Sequence, residues 1–190
     1  MRTRDGACPF GGHVNETATI PCHRKRQNPA RLAGGARQLG DMTMLKTIDP
    51  LLNAEVLHAL AAMGQGDALV VVDRHFPAEA IARQTVIGRP LRMGGVSVEC
   101  VVRAVLSLLP LDTAAVDAAI RMEVAGDHGS ILPQQMAVQE TIDAAEGHHV
   151  PLLGVERHAF HARARNAFAL IHTDEPRPYG CFIFTKGALA

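Results

Sequence analysis

Five short apolar runs alternating with five stretches of helical spacing predict an α/β fold, a layered sandwich with a mainly parallel central sheet flanked by helices. Two further observations agree. The 190 residues are 47% hydrophobic, enough for a sizeable core, and strands separated by helices favour a mainly parallel sheet.

Taken in order, Leu52, Val56, Leu57, Leu60 and Ala61 recur at helical spacing between Asp49-Pro50, read as start signals, and Gly64, read as the stop. Ala68 to Val72 follows as a buried strand, then Pro77 to Arg83 as a short helix and Val98 to Leu108 as a longer one. Ile120 to Val124 is a strand, Gln134 to Glu146 a helix, and Gly154 to Glu156 a short strand. His158 to Asn166 is a helix and Ala167 to Thr173 a strand. The turn region Asp174 to Gly180 leads to a last strand over Cys181 to Thr185.

Residues 1–43 lack this patterning. Gly, Pro, Arg, Asn and Gln dominate them, and Arg24-Lys25-Arg26 is a cationic run, so they predict a disordered extension before a single domain over 44–190. Met42 and Met44 stand just ahead of the first patterned segment. Cys8, His13, Cys22 and His23 fit no zinc spacing. Residues 1–41 carry seven Lys/Arg against three acids, leaving the remaining 149 residues with twelve basic and sixteen acidic side chains. An acidic body lacks the cationic surface that sequence-independent nucleic-acid binding needs, and predicts no nucleic-acid partner. No apolar run approaches the roughly 20 residues of a membrane span. Four widely spaced cysteines with no mark of secretion point to the cytoplasm.

In sheets of this kind the ligand crevice lies beyond the carboxyl ends of the strands, which singles out Asp73-Arg74-His75-Phe76-Pro77. Asp73 can accept hydrogen bonds from hydroxyls, and imidazole is the side chain whose unperturbed pKa lies nearest neutrality. Alternatively, Asp73 caps the next helix, with Pro77 in its first turn, and His75 fills the loop. His158 and His161, three apart on one helix, with His148 and His149 before them, lack a suitably spaced carboxylate or cysteine and read as solvated or interface histidines rather than a metal site. Asp174-Glu175 near Arg177 reads as a surface turn. One Tyr, six Phe and no Trp leave Phe76, Phe160 and Tyr179 as the available stacking platforms.

Seven segments in register resemble one known family. They are Met44-Leu45-Lys46-Thr47-Ile48-Asp49-Pro50-Leu51-Leu52, Met63-Gly64-x-Gly66-Asp67, Asp73-x-His75-Phe76-Pro77-Ala78, Leu109-Pro110-Leu111-Asp112, Met122-Glu123-Val124-x-Gly126-Asp127, Arg157-x-Ala159-Phe160-x-x-Arg163-Ala164, and Tyr179-Gly180 with Lys186-Gly187. In order and spacing they are similar to the L-fucose mutarotase and D-ribose pyranase family, nearer its fucose branch. The resemblance implies interconversion of sugar anomers by ring opening, with no metal or organic cofactor, and a homo-oligomer, a decameric ring in which a neighbour helps to close each pocket. By the same resemblance Asp73, Arg157, Tyr179 and Cys181 meet the sugar, and position 65 carries the family's proton-donating histidine.

This chain has Gln65 there, and Cys181 where the family pattern has asparagine. An amide donates and accepts hydrogen bonds but shuttles no proton. Two expectations follow. In one, the chain is an isomerase in which His75, Asp73 or Tyr179 takes over proton transfer, with Gln65, Asp73, Arg157, Tyr179 and Cys181 binding the sugar. In the other, it is a sugar-binding or sensing module of the same fold with weakened catalysis.

Overall fold

The computed structural model describes residues 45–188, so the expectations for residues 1–43, including the extension and its Cys/His set, lie outside the described residues. Eleven elements follow in the order α1 (Ala54–Ala62), β1 (Ala68–Val72), α2 (Ala78–Ala82), β2 (Leu91–Met93), α3 (Val98–Leu106), β3 (Ala119–Met122), α4 (Pro133–Glu146), β4 (Leu152–Val155), α5 (Arg157–Arg165), β5 (Ala169–Thr173) and β6 (Phe182–Thr185). The strands form one six-stranded sheet in the order β2-β5-β1-β6-β3-β4. Three neighbouring pairs are parallel, and β6 runs antiparallel to both β1 and β3.

The sheet has a core on each face, which explains the unbroken apolar run of β1. Leu69 and Val71 point to one layer with Val56 and Leu60 of α1, Val101 and Val105 of α3 and Val138 and Ile142 of α4. Val70 and Val72 point to the other, with Ile81 of α2 and Phe160 and Ala164 of α5. Side chains of a strand alternate between faces, so two covered faces require apolar residues at every position.

Boundaries differ from the sequence expectations where side chains compete for backbone. Asn53, not Asp49-Pro50, starts α1: its side chain accepts the Val56 N–H at 3.0 Å, while Asp49 Oδ1 accepts the Leu51 N–H in a separate turn. The strand read as Ile120 to Val124 ends at Met122, because Val124 bridges Asp127 around Gly126, whose φ of +79° is left-handed. The three-residue edge strand β2 has no periodic signature to read.

At the amino end of β1, Asp67 Oδ2 accepts the Gly64 N–H at 2.7 Å and the Lys186 carbonyl accepts the Gly66 N–H at 2.8 Å. The Lys186 ammonium donates to the carbonyls of Leu60 and Met63, the negative end of α1. The Met63–Asp67 and Lys186–Gly187 motifs thus build one braced turn with exposed Gln65 at its apex. At the other end, β5 and β6 flank β1, so residues 174–181 pass over its carboxyl end, and Arg74 N–H donates to the Glu175 carbonyl.

Candidate functional site

Beneath that crossing lies a cavity of about 160 Å³ lined by Asp73, His75, Phe76, Pro77, Met122, Arg157, His161, Pro178, Tyr179 and Cys181. It sits at the carboxyl ends of β1 and β3, as predicted for the β1 loop.

Asp73 is 2% exposed. It does not cap α2, whose start at Pro77 has no side-chain cap. Its Oδ1 accepts the His75 N–H at 2.9 Å, and its Oδ2 accepts the Gly180 N–H at 3.0 Å and the Cys181 thiol at 3.4 Å. The carboxylate therefore clamps the loop after β1 to the segment before β6, and each of its oxygens accepts a backbone N–H. His75 is exposed at the rim with Nε2 3.0 Å from the Pro176 carbonyl. A carbonyl only accepts, so this nitrogen carries the hydrogen and Nδ1 is the free one.

Tyr179 has a φ of +63°, unusual for a residue with a side chain. Its conformation is held from α4: Gln135, fully buried, donates through Nε2 to the Tyr179 and Met122 carbonyls at 3.1 and 3.0 Å, and Gln134 donates to the Pro178 carbonyl at 2.7 Å. The Tyr179 oxygen accepts the Ala125 N–H at 3.3 Å, which leaves its hydroxyl hydrogen free to donate. Backbone strain held by buried side chains is typical of positions that a site over-determines.

Arg157 opens α5 immediately after Glu156, whose carboxylate caps the helix by accepting the His158 and Ala159 N–H groups at 2.7 and 3.3 Å. The Arg157 guanidinium is exposed and has no ion-pair or hydrogen-bond partner among the described residues. Four residues on, His161 lies on the same helical face and also enters the cavity. Its ring meets Phe76 edge-on at 4.9 Å and 72°. Burial first, then the nearby positive charges of Arg157, Arg165 and His158, hold its imidazole below the ordinary value despite Glu156. Cys181 is fully buried; burial, with the Asp73 charge, pushes its thiol well up, so it forms a neutral floor and not a nucleophile.

The sequence reading of Asp174-Glu175 as a surface turn holds for exposed Asp174 and is corrected for Glu175. Glu175 is 1% exposed and receives the Arg177 guanidinium at 2.7 and 2.8 Å, the Arg177 N–H at 3.0 Å and the Val98 N–H at 3.2 Å, while Arg177 also reaches Glu99 at 2.6 Å. Burial raises the Glu175 carboxyl, but the Arg177 and backbone donors outweigh it and leave the group below its ordinary value. A depressed acid stabilises the fold above its unfolded value near 4.5 and ceases to do so as pH falls through the lower folded value. Glu175→Gln is therefore expected to lose about 2 kcal/mol near neutrality, Arg177 being partly solvent-screened, and the gap from wild type should narrow in denaturant titrations under acid conditions.

Asp73, His75, Arg157, Tyr179 and Cys181 thus come to one cavity, and Gln65 does not: within one chain it stands at the opposite end of β1, whose length is about 16 Å. Sequence reasoning missed His161, although its spacing of four from Arg157 was a readable signal. It also missed Gln134 and Gln135, which act through segments far away in sequence. Among the described residues no group of three or more His, Cys, Asp or Glu is placed to hold a metal, and no helix is long and apolar enough to cross a membrane.

Comparison with known proteins gives the family of the chain and supports its fold. Residues 46–189 match the model of the RbsD / FucU transport protein family. A curated protein named fucose mutarotase from Bos taurus is 40% identical over 154 residues, covering 78% of this chain and 97% of that protein. The crystal structure of protein Atu2016 superposes with a TM-score of 0.76 at 50% identity, covering 78% of this chain and 99% of that one. The fucose mutarotase from Streptococcus pneumoniae, solved in complex with L-fucose, superposes with a TM-score of 0.68 at 25% identity, covering 77% and 100%.

Proposed function

Because the chain belongs to the RbsD / FucU transport protein family, we propose that it is an isomerase, a mutarotase that interconverts the α and β anomers of a free monosaccharide such as L-fucose in the cavity beneath residues 174–181. The observation that carries this reading is the meeting of Asp73, Arg157 and Tyr179 around one small cavity. A relative named fucose mutarotase and a fold neighbour solved with L-fucose support it.

Ring opening needs a proton delivered to the ring oxygen and another removed from the anomeric hydroxyl. The Tyr179 hydroxyl, its oxygen already accepting the Ala125 N–H, is the donor. The free Nδ1 of His75 is the acceptor. Asp73 takes part by fixing both: each oxygen accepts a backbone N–H, which aligns the His75 loop and the Gly180 backbone, and Oδ1 keeps a lone pair for a sugar hydroxyl. Unpartnered Arg157 binds the sugar hydroxyls, and buried Cys181 shapes the floor. Such positioned acid/base catalysis supplies roughly 10²- to 10⁴-fold and needs no metal or organic cofactor.

Gln65 joins the site from a neighbour. We place the protein in the cytoplasm as a homo-oligomer, a decameric ring in which the braced Met63–Asp67 turn of an adjacent protomer presents Gln65 to the open side of the cavity. Its exposure at the apex of a rigid turn, remote from its own cavity, supports that arrangement. An amide there binds a sugar hydroxyl without moving a proton, and this favours a second reading, a sugar-binding module with weak catalysis.

Saturation-transfer NMR on L-fucose, D-ribose and D-galactose separates the two. Exchange between anomer signals well above the buffer rate is expected for one of the sugars. Binding without acceleration for every sugar would instead establish the binding module.

A further inference from the structure

We propose that the protein carries a second ligand site on the other face of β3, taking a small apolar amino acid whose carboxylate sits on Arg121 and whose ammonium faces Glu140. Side chains of successive strand residues point to opposite faces, so Met122 lines the cavity of Asp73 while Arg121 lines another, of about 230 Å³, between α4 and strands β3 and β4. Its volume suits an occupant smaller than the drug-sized ligands that fill about 300–1,000 Å³.

Arg121 is 7% exposed and makes no ion pair among the described residues. Its guanidinium has two hydrogen bonds there, both through Nη1 and both at 3.4 Å, to the Ser130 carbonyl and to Gln135 Oε1. These are longer than the about 2.7–3.2 Å of a firm N–H···O bond. Nε and Nη2 have no partner among the described residues, although a buried charge is ordinarily paired. They form one edge of the guanidinium, the kind of edge that receives a carboxylate in two parallel N–H···O bonds. Glu123, two residues on, is taken by His128 at 2.7 Å and does not supply that carboxylate.

The amides around Arg121 are committed elsewhere. Gln135 donates to the Met122 and Tyr179 carbonyls and accepts the Leu132 N–H, while Gln139 donates to Asp143 and the Val150 carbonyl and accepts the Leu152 N–H. Glu140, one helical turn past Met136, is exposed at the rim and has no partner among the described residues. The rest of the lining is apolar: half-buried Leu152, with Ile131 and Met136 55% and 54% exposed. A simple anion would meet Glu140 and a simple cation would meet Arg121. A zwitterion with an apolar body satisfies both charges and covers the three apolar side chains.

Calorimetric titration of the full-length protein with L-leucine tests the site, beside 4-methylpentanoate, which lacks the amine, and 3-methylbutylamine, which lacks the carboxylate. L-leucine is expected to bind, and each analogue to bind about tenfold or more weakly. Arg121→Gln should weaken L-leucine by about tenfold or more, and Glu140→Gln, at an exposed position, should bring it to the affinity of 4-methylpentanoate. Removing an unpaired buried charge is tolerated by many folds, and if Arg121→Gln does not fold, Glu140→Gln decides alone. No binding of L-leucine, or binding that neither variant changes by more than about twofold, overturns the assignment. So does 4-methylpentanoate binding as tightly as L-leucine, which makes this a carboxylate site only. Displacement of L-leucine by saturating L-fucose would place it in the cavity of Asp73, and dissociation of the protein into smaller species by Arg121→Gln would give Arg121 to a contact between copies; either result overturns the proposal and leaves the mutarotase reading untouched.

Discussion

Gln65→Ala is expected to weaken sugar binding in the assembled protein, and Gln65→His to raise anomer exchange roughly 10²-fold over the native chain. The size follows from the chemistry of the position. A glutamine amide offers a fixed donor and acceptor, whereas an imidazole can also lend and recover a proton in the same place. The Met63–Asp67 turn is held by Asp67 and Lys186 rather than by Gln65, so the substitution changes the apex without changing its support. Exchange spectroscopy on L-fucose reads the outcome. An unchanged rate in a properly assembled Gln65→His protein would remove Gln65 from the site.

Asp73→Ala should have the largest combined effect, about 3 kcal/mol of stability together with loss of exchange to the buffer rate. The buried carboxylate accepts from His75 N–H, Gly180 N–H and the Cys181 thiol, and an alanine leaves the Gly180 N–H buried without an acceptor. Stranding a buried donor costs about 1–3 kcal/mol, and releasing the clamp frees the Tyr179 segment. Asp73→Asn retains an acceptor but brings an unwanted donor against N–H groups, so it should lie between the two in denaturant titrations. An Asp73→Ala protein as stable as wild type would show that the clamp contributes little.

Much of the fold was legible because it is locally encoded. Strand β1 is read from its sequence at the observed limits, since five consecutive apolar residues bounded by Gly66-Asp67 and Asp73 leave little choice. The position of the β1 loop at a cavity was legible because parallel strands leave a crevice beyond their carboxyl ends. What escaped depends on distant partners. The buried Glu175 resembles any turn acid until Val98, 77 residues away, is brought to it. The role of Gln135 lies in a carbonyl 44 residues away. His161 reads as a surface histidine in sequence, and its place in the cavity wall depends on Phe76, 85 residues earlier, packing against its ring. Gln65 stands at the opposite end of β1 from the cavity, so nothing within one chain ties it to the site, and its part in the proposed function rests on the proposed oligomer.

A crystal structure of the assembled protein with L-fucose tests the central claim most directly. The sugar is predicted in the cavity of Asp73 and Tyr179, with Arg157 on its hydroxyls and the Gln65 amide of an adjacent protomer within hydrogen-bond distance. A sugar bound away from these side chains, or held there with every Gln65 remote from it, would contradict the account.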